Sequence, residues 1–267
     1  MKTALVTGAA GGIGYAAAKR LAAAGYRVFG LDLRAPEPVE GVTFLQTDLT
    51  DPGSVARAYE TVSAETDRLD AVIHMAGVYE LGSLLELGEE EFLQAFRVNF
   101  VSVYRVNRMF RPLLRPGGRI LITTSELAPL DPLPFTGIYG ITKTALDRYA
   151  FSLRMEVQLL GLHVIVLRPG AVDTGLLDVS TRRLEDFCRN TENYRVSAAR
   201  FRRIVGRVEA RKIPPEKIAE LTLRALAARR PRYVYTVNRN PLLLILNALP
   251  DRMQCAVIRR ILKEPRP

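Results

Sequence analysis

The sequence predicts an α/β protein with a doubly wound parallel sheet, and three observations carry that prediction. Over the first 170 residues, short apolar runs alternate with helix-like segments. The runs are apolar nearly throughout, as in strands buried on both faces of a parallel sheet. A glycine-rich turn joins the first run to the first helix, as at the start of a β–α–β unit.

The elements follow in order. Residues 3–7 form a short buried strand. Residues 13–24 are alanine-rich and helical, and Gly25 marks their end, because a left-handed C-cap suits glycine. Residues 26–31 and 42–46 are the second and third strands. Asp51-Pro52 opens the next helix, with Asp as N-cap and Pro at the first helical position. Residues 71–75 are an apolar strand, 89–110 one long helix, and 119–124 a strand after the turn Pro116-Gly117-Gly118. Residues 139–160 are helical, and residues 162–167 are a strand stopped by Arg168-Pro169-Gly170. Residues 176–213 break the rhythm: they are polar, arginine-rich and expected to be helical. Such an insertion would lie over the carboxyl ends of the strands, where ligands bind, and is expected to be a substrate lid. No linker, repeat or low-complexity tract divides the chain. Residues 1–267 are therefore expected to form a single domain, with an apolar and basic tail at 241–267.

Composition narrows the class further. At 48% hydrophobic residues the chain can bury a full core. Cys188 and Cys255 lie far apart, and His74 and His163 sit in apolar stretches, so free thiols and no metal site are expected. A cytoplasmic location is expected, because Met1-Lys2 runs directly into a strand rather than a signal segment. The longest apolar run, residues 241–249 (PLLLILNAL), is well short of the ~20 residues that span a bilayer. The formal net charge of +10 is unevenly placed: residues 1–177 hold 17 Lys+Arg against 19 Asp+Glu, and residues 178–267 hold 21 against 9. Basic regions serve nucleic acid, an anionic membrane surface or an acidic substrate, or are solvated faces. No aromatic residues are interleaved with the basic ones in the way that stacks bases, so nucleic acid is not an expected partner.

Thr7-Gly8-Ala9-Ala10-Gly11-Gly12-Ile13-Gly14 follows the first strand. Glycines let the backbone approach a pyrophosphate, and the helix start offers free N–H groups and partial positive charge. Asp32 ends the second strand, where a carboxylate can accept both adenosine-ribose hydroxyls and repel a 2′-phosphate. That favours NAD over NADP, as does the absence of a basic side chain at position 11. Arg34 is the counterweight, because an arginine can hold that phosphate.

With these residues in place, the chain resembles the short-chain dehydrogenase/reductase family from about residue 2 to residue 174, and loosely beyond. The cofactor turn Gly8, Gly12, Ile13 and Gly14 is similar to the family's own. Asp48-Leu49 matches the adenine-contacting acid, and Ala76-Gly77 the main-chain approach to the cofactor. Asn99 matches the asparagine on the fourth helix. Ser125, then Tyr139 and Lys143 in Tyr-x-x-x-Lys spacing, match the catalytic set. Pro169, Gly170, Val172 and Thr174 match the loop that holds the nicotinamide. The resemblance implies a Rossmann-type sheet of about seven strands in the order 3-2-1-4-5-6-7, and a homodimer or homotetramer paired through the 89–110 and 139–160 helices. The chain departs from the family at His74-Met75, where two asparagines usually tie the central strands together. Ser125 and Tyr139 are also about one residue farther apart than is usual.

The chemistry explains the residue types. Hydride transfer between an alcohol and a nicotinamide must be matched by proton transfer at the oxygen. Tyrosine does this only if its pKa, ordinarily ~10, falls toward working pH. Lys143, one helical turn away, is expected to favour the phenolate by its charge and to hold the nicotinamide ribose. Ser125 is expected to steady the developing alkoxide. Asn99, by the resemblance, holds a water that relays the proton from Lys143. Gly137 and Gly140 are expected to leave room for the cofactor.

The substrate is less legible. Pro129, Leu130, Leu133, Pro134 and Phe135 are expected to form an apolar wall, and Leu176, Leu177, Phe187, Tyr194 and Phe201 to contribute from the lid. An apolar pocket with basic residues at its mouth suits a large hydrophobic alcohol or ketone, with or without an acidic tail. Hydroxysteroids, bile acids and other lipid alcohols come first. A 3-oxoacyl-thioester reductase is the alternative, weakened by Asp32. A non-catalytic dinucleotide-binding protein is a third reading, weakened by the complete catalytic set. The tail carries Met253, Val257 and Ile261 on one stripe among Arg252, Arg259, Arg260 and Lys263. It suits either packing on a subunit or an anionic membrane surface.

Overall fold

The computed structural model describes residues 1–209 and 211–263. Residues 264–267 of the expected tail and residue 210 of the expected lid lie outside the described residues.

Seven strands form one wholly parallel sheet: β1 (Lys2–Thr7), β2 (Tyr26–Asp32), β3 (Val42–Gln46), β4 (Leu69–His74), β5 (Leu114–Thr123), β6 (His163–Pro169) and β7 (Val234–Val237). Their order is β3-β2-β1-β4-β5-β6-β7, as the resemblance implies. Strand periodicity then sorts neighbouring residues onto opposite faces. Leu5, Val72, Ile120 and Val166 join one core. Val6, Ile73, Leu121 and Ile165 join the other. Both faces are apolar, so both are covered by helices.

The ten helices among the described residues are α1 (Gly12–Ala23), α2 (Pro52–Glu65), α3 (Glu89–Phe96), α4 (Ser102–Phe110), α5 (Gly137–Val157), α6 (Gly175–Asn190), α7 (Arg195–Glu209), α8 (Pro215–Ala227), α9 (Pro241–Asn247) and α10 (Asp251–Leu262). Local chemistry sets their ends. Asp51 accepts hydrogen bonds from the N–H groups of Gly53 (3.0 Å) and Ser54 (2.9 Å), with Pro52 at the first position of α2. Gly25, at φ +83, takes the left-handed conformation just past α1.

The single helix expected over 89–110 is instead three segments. A π-helical turn, Arg97–Val101, separates α3 from α4. Such turns widen the helix by one residue and re-aim one side chain. Asn99 lies inside it.

The lid is the helix pair α6–α7. It carries a small core of its own, in which Leu184 and Phe201 pack with Leu81, Phe135 and Leu262. Leu262 belongs to α10, so the tail packs on the lid of its own chain. Arg200 of α7 completes that contact by donating to the Lys263 carbonyl at 2.5 Å.

Candidate active site

The glycine turn is shaped by close backbone approach. Gly14 abuts the Gly8 carbonyl so tightly that a β-carbon there would stand 2.0 Å from its oxygen. Gly8 itself, at φ +70, lies against the Ala76 backbone, 2.7 Å from where its β-carbon would be. Larger residues at either position would push the turn off the strand ends. The amides of Met75 and Ala76 reach back to the Thr7 hydroxyl at 3.3 and 3.4 Å, which fixes the β4 end beside the turn.

Asp32 accepts from the Ala10 amide (3.0 Å) and the Arg34 amide (3.1 Å), so its carboxylate is oriented over the turn. Position 11 lacks a basic side chain of its own, but Arg34 supplies one: its guanidinium lies 3.2 Å from where a β-carbon on Gly11 would stand. Asp48 is held below the usual carboxylate range, first by the Thr50 hydroxyl, which donates to it at 2.7 Å. The Leu49 side chain is buried in the core with Leu31 and Val55, and its carbonyl accepts from Arg105 at 2.6 Å. Packing therefore claims that side chain, and only main chain is left to meet a cofactor.

One cavity at the carboxyl ends of the strands gathers the remaining residues. Ile13, Gly77, Ser125, Tyr139, Lys143, Pro169, Gly170, Val172 and Thr174 all line it. Asn99 sits just behind, 1% exposed. Its amide grips Val78 in both directions, accepting from the N–H (2.8 Å) and donating to the carbonyl (3.0 Å), and it also donates to Thr142 (3.0 Å). Gly77 passes between Asn99 and Lys143: a β-carbon there would lie 3.1 Å from Asn99 Oδ1 and 3.4 Å from Lys143 Nζ. The π-turn thus aims Asn99 at the loop after β4.

Ser125 follows β5, and Tyr139 and Lys143 share one face of α5. Lys143 Nζ donates to the Thr123 carbonyl at 3.2 Å and stands 5.7 Å from the centre of the Tyr139 ring. Burial brings the lysine down to about 8. Burial likewise pushes the Tyr139 phenol up to about 12, opposed by a hydrogen bond with Ser125 and reinforced by the negative charge of Glu126. The expected lowering of the phenol by Lys143 is thus not what dominates in the protein alone. Desolvation outweighs it, because both groups sit in an apolar wall.

Several expectations need correcting. Gly137 makes room for Leu84, whose side chain would be 2.8 Å from a β-carbon, and the nearest neighbour of Gly140 is Pro132. Both glycines serve packing rather than the cofactor. Of the expected wall, Leu133 lines the cavity, whereas Pro129 is exposed. Phe135 turns into the lid core against Phe187, Tyr194 and Phe201. Leu176, Leu177 and Phe201 line the cavity from the lid; Phe187 and Tyr194 do not.

The strand tie missing at His74-Met75 is replaced by different chemistry. His74 Nε2 meets Asn107 Oδ1 at 2.8 Å, and Asn107 donates onward to the Tyr149 hydroxyl at 3.2 Å. Burial holds this imidazole down at about 4, so it is neutral. Met75 Sδ accepts from Thr123 at 2.8 Å, linking β4 to β5. Sequence reading also missed Glu126, Tyr79, Ile204, Val205 and Leu243 in the cavity. It missed the part-buried pair of Arg168 with Asp147 (2.7 and 2.9 Å), which anchors the Pro169–Gly170 loop to α5. Only Glu126, an acid directly after Ser125, carried a visible signal.

Comparison with known proteins agrees with this geometry. The model of the short chain dehydrogenase family matches residues 2–184. The chain is 29% identical over 262 residues to a 3-ketodihydrosphingosine reductase of Bacteroides thetaiotaomicron, covering 96% of both proteins. It is 32% identical over 189 residues to estradiol 17-beta-dehydrogenase 2 of Mus musculus, spanning 66% of this chain and 49% of that protein. The crystal structure of an alcohol dehydrogenase from Thermococcus sibiricus, complexed with 5-hydroxy-NADP, superposes with a TM-score of 0.71 at 26% identity, covering 90% of this chain and 99% of that one.

A parallel sheet in the order 3-2-1-4-5-6-7, a glycine turn under its first helix and a tyrosine–lysine face beside Ser125 define a nucleotide-dependent oxidoreductase. The chain belongs to the short-chain dehydrogenase/reductase family and acts on CH–OH groups with a nicotinamide dinucleotide.

Proposed function

We propose that the protein interconverts a secondary alcohol and a ketone on a large hydrophobic lipid substrate. The observation that carries this reading is the cavity wall: Leu127, Leu133, Leu177, Phe201, Ile204 and Leu243 surround the approach to Tyr139. Such a lining accepts an alkyl or ring skeleton and leaves few polar partners for a sugar or a small polyol. The Bacteroides relative, aligned over nearly the whole chain, supports a lipid class. The steroid-dehydrogenase relative aligns over two thirds and supports hydroxysteroids less strongly.

The residues fit a nicotinamide dinucleotide. Gly8, Gly12 and Gly14 leave space for a pyrophosphate at the start of α1, Asp32 and Asp48 would hold the adenosine end, and Lys143 would hold the nicotinamide ribose. Pro169, Gly170, Val172 and Thr174, which line the same cavity, would hold the nicotinamide. When bound, the dinucleotide donates or accepts the hydride at the carbinol carbon. In reduction, Tyr139 gives its proton to the ketone oxygen while Ser125 donates a hydrogen bond to that oxygen. Lys143 and Asn99 then lead the replacement proton in. Oxidation reverses each transfer. A phenol pushed up to about 12 is protonated at neutral pH, so the protein alone is stocked as a general acid.

NAD is the proposed cofactor, because Asp32 sits at the end of β2 with its carboxylate oriented over the turn. NADP is the second reading, favoured by the Arg34 guanidinium beside Gly11. We further propose an oligomer paired through α4 and α5, where Tyr104, Phe151 and Met155 are about half exposed. No described helix is long and apolar enough to cross a membrane.

The test is a turnover screen of purified protein on long-chain ketones, hydroxysteroids, bile acids and 3-oxoacyl thioesters with NADH and NADPH. Reduction of lipid ketones with NADH supports the reading. A preference for thioesters, or tighter binding of NADPH than NADH, would overturn the substrate or the cofactor assignment respectively.

A further inference from the structure

Glu126 follows Ser125 directly, and alcohol–ketone chemistry asks for no acid there. It is 8% exposed and lines the cavity beside Ser125 and Tyr139. Its Oε2 accepts from the Asn240 amide at 2.6 Å, just before α9, whose Leu243 lines the same cavity. Its other oxygen, Oε1, lies beside Gly170. The absence of a side chain at Gly170 leaves room for that oxygen: a β-carbon there would be 2.9 Å away. Burial raises the carboxyl's pKa, opposed by the Asn240 amide and by the charge of Arg239, whose own side chain is exposed.

A carboxylate that opens into a largely apolar cavity is best met there by a cation. Glu126 also acts on the chemistry, because its negative charge holds the Tyr139 phenol up. A positive group on the substrate would meet the carboxylate and offset that charge at once. Lys143 cannot do so, since its ammonium is turned toward the Thr123 carbonyl and the Asn99 side.

We propose that Glu126 is an ammonium subsite, which takes a protonated primary amine carried by the substrate beside its reacting carbon. The substrate class is then a long-chain amino alcohol and its amino ketone. This deepens the lipid-alcohol reading and rests on it.

The experiment compares two ligands that differ only in the amine, 2-aminododecan-3-ol and dodecan-3-ol. Each is titrated at neutral pH into the protein saturated with reduced cofactor, followed by cofactor fluorescence. A charge-assisted hydrogen bond in a cavity corresponds to a preference of about 10–100-fold for the amine. Glu126→Gln retains an oxygen for the Asn240 amide and should bring the two affinities to within about 3-fold by loss of that charge-assisted term. Equal affinities in the wild-type protein would overturn the proposal, as would an amine preference that survives Glu126→Gln. Because the first comparison needs no variant, misfolding of the variant cannot rescue the idea. Turnover of dodecan-3-one is measured alongside. Turnover without amine preference leaves the lipid-ketone reading standing and the subsite refuted. An amine preference that requires Glu126, with no ketone turned over, does the reverse.

Discussion

In the sheet, Phe29, Leu31, Leu121 and Ile122 have no exposed surface; in α9 and α10, Leu242, Ile245 and Met253 keep more than half of theirs open. The two regions also differ in charge. Residues 1–177 are nearly balanced, and the whole basic excess lies in residues 178–267. The sheet region is sealed on both faces by long-range packing, and it holds every proposed catalytic residue and the glycine turn proposed for the cofactor. The covering region is built from local helices around a small core of its own, and it supplies much of the apolar wall that meets the substrate. Chemistry is thus placed where the backbone has least freedom, and substrate choice where side chains can change at small cost.

That contrast can be broken or sharpened by substitution, beginning with the largest effect. Tyr139→Phe removes the proton donor while keeping the ring, and should lower kcat by roughly 10²–10⁴-fold. Cofactor affinity, read by fluorescence titration, should remain near wild type; full turnover would end the assignment. Asp147→Asn leaves the part-buried Arg168 without its charge partner and should destabilise the sheet region by about 1.5–3 kcal/mol in denaturant unfolding. A change near zero would mean that the nicotinamide loop is held by something else.

His74 gives the sheet region a pH dependence. Its folded pKa of about 4 lies below the usual value of 6.5, so the neutral form is the one the fold accepts. The unfolded chain takes up the proton first as pH falls. Stability is therefore complete above about 6.5 and declines toward pH 4, with about 2 kcal/mol lost by pH 5. His74→Gln should flatten that part of the stability–pH curve, and an unchanged curve would contradict the buried neutral imidazole.

Effects in the cover should be smaller. Leu243→Ala should raise KM for a lipid ketone by about 10-fold with little change in kcat, because it removes apolar contact common to ground and transition states. Ile245→Ser, on the exposed side of the same helix, should alter stability by less than about 0.5 kcal/mol. A large loss of stability or a change of oligomeric state there would show that the cover is docked on a second surface after all.

The difference between the regions also governs how much could be read in advance. The six strands through 162–167 were legible because burial on both faces leaves continuous apolar runs, whereas β7 is only four residues, Val234–Val237, and carries no such length. Gly8, Gly14, Tyr139 and Lys143 were legible because each is demanded by backbone proximity or by one helical turn. The roles of Gly137 and Phe135 were misread, because in each case a neighbour distant in sequence decides them: Leu84 and the lid aromatics. The π-turn at Arg97–Val101 left no mark in the hydrophobic pattern, since its extra residue is absorbed within a helix that continues on either side.

By itself the sequence determined the parallel sheet, the glycine turn after its first strand and the chain order of the proposed catalytic residues, because these depend on periodicity, on glycine's conformational freedom and on spacing within single elements. Tertiary structure alone decided that Asn107 of α4 holds His74 while Met75 links β4 to β5, that Arg34 stands where the turn has no base, and that Glu126 lines the cavity beside Ser125 and Tyr139. Those relations join groups from elements far apart along the chain. Their energies come from burial and charge at short range, and a linear sequence carries no measure of either until the sheet has brought the residues together.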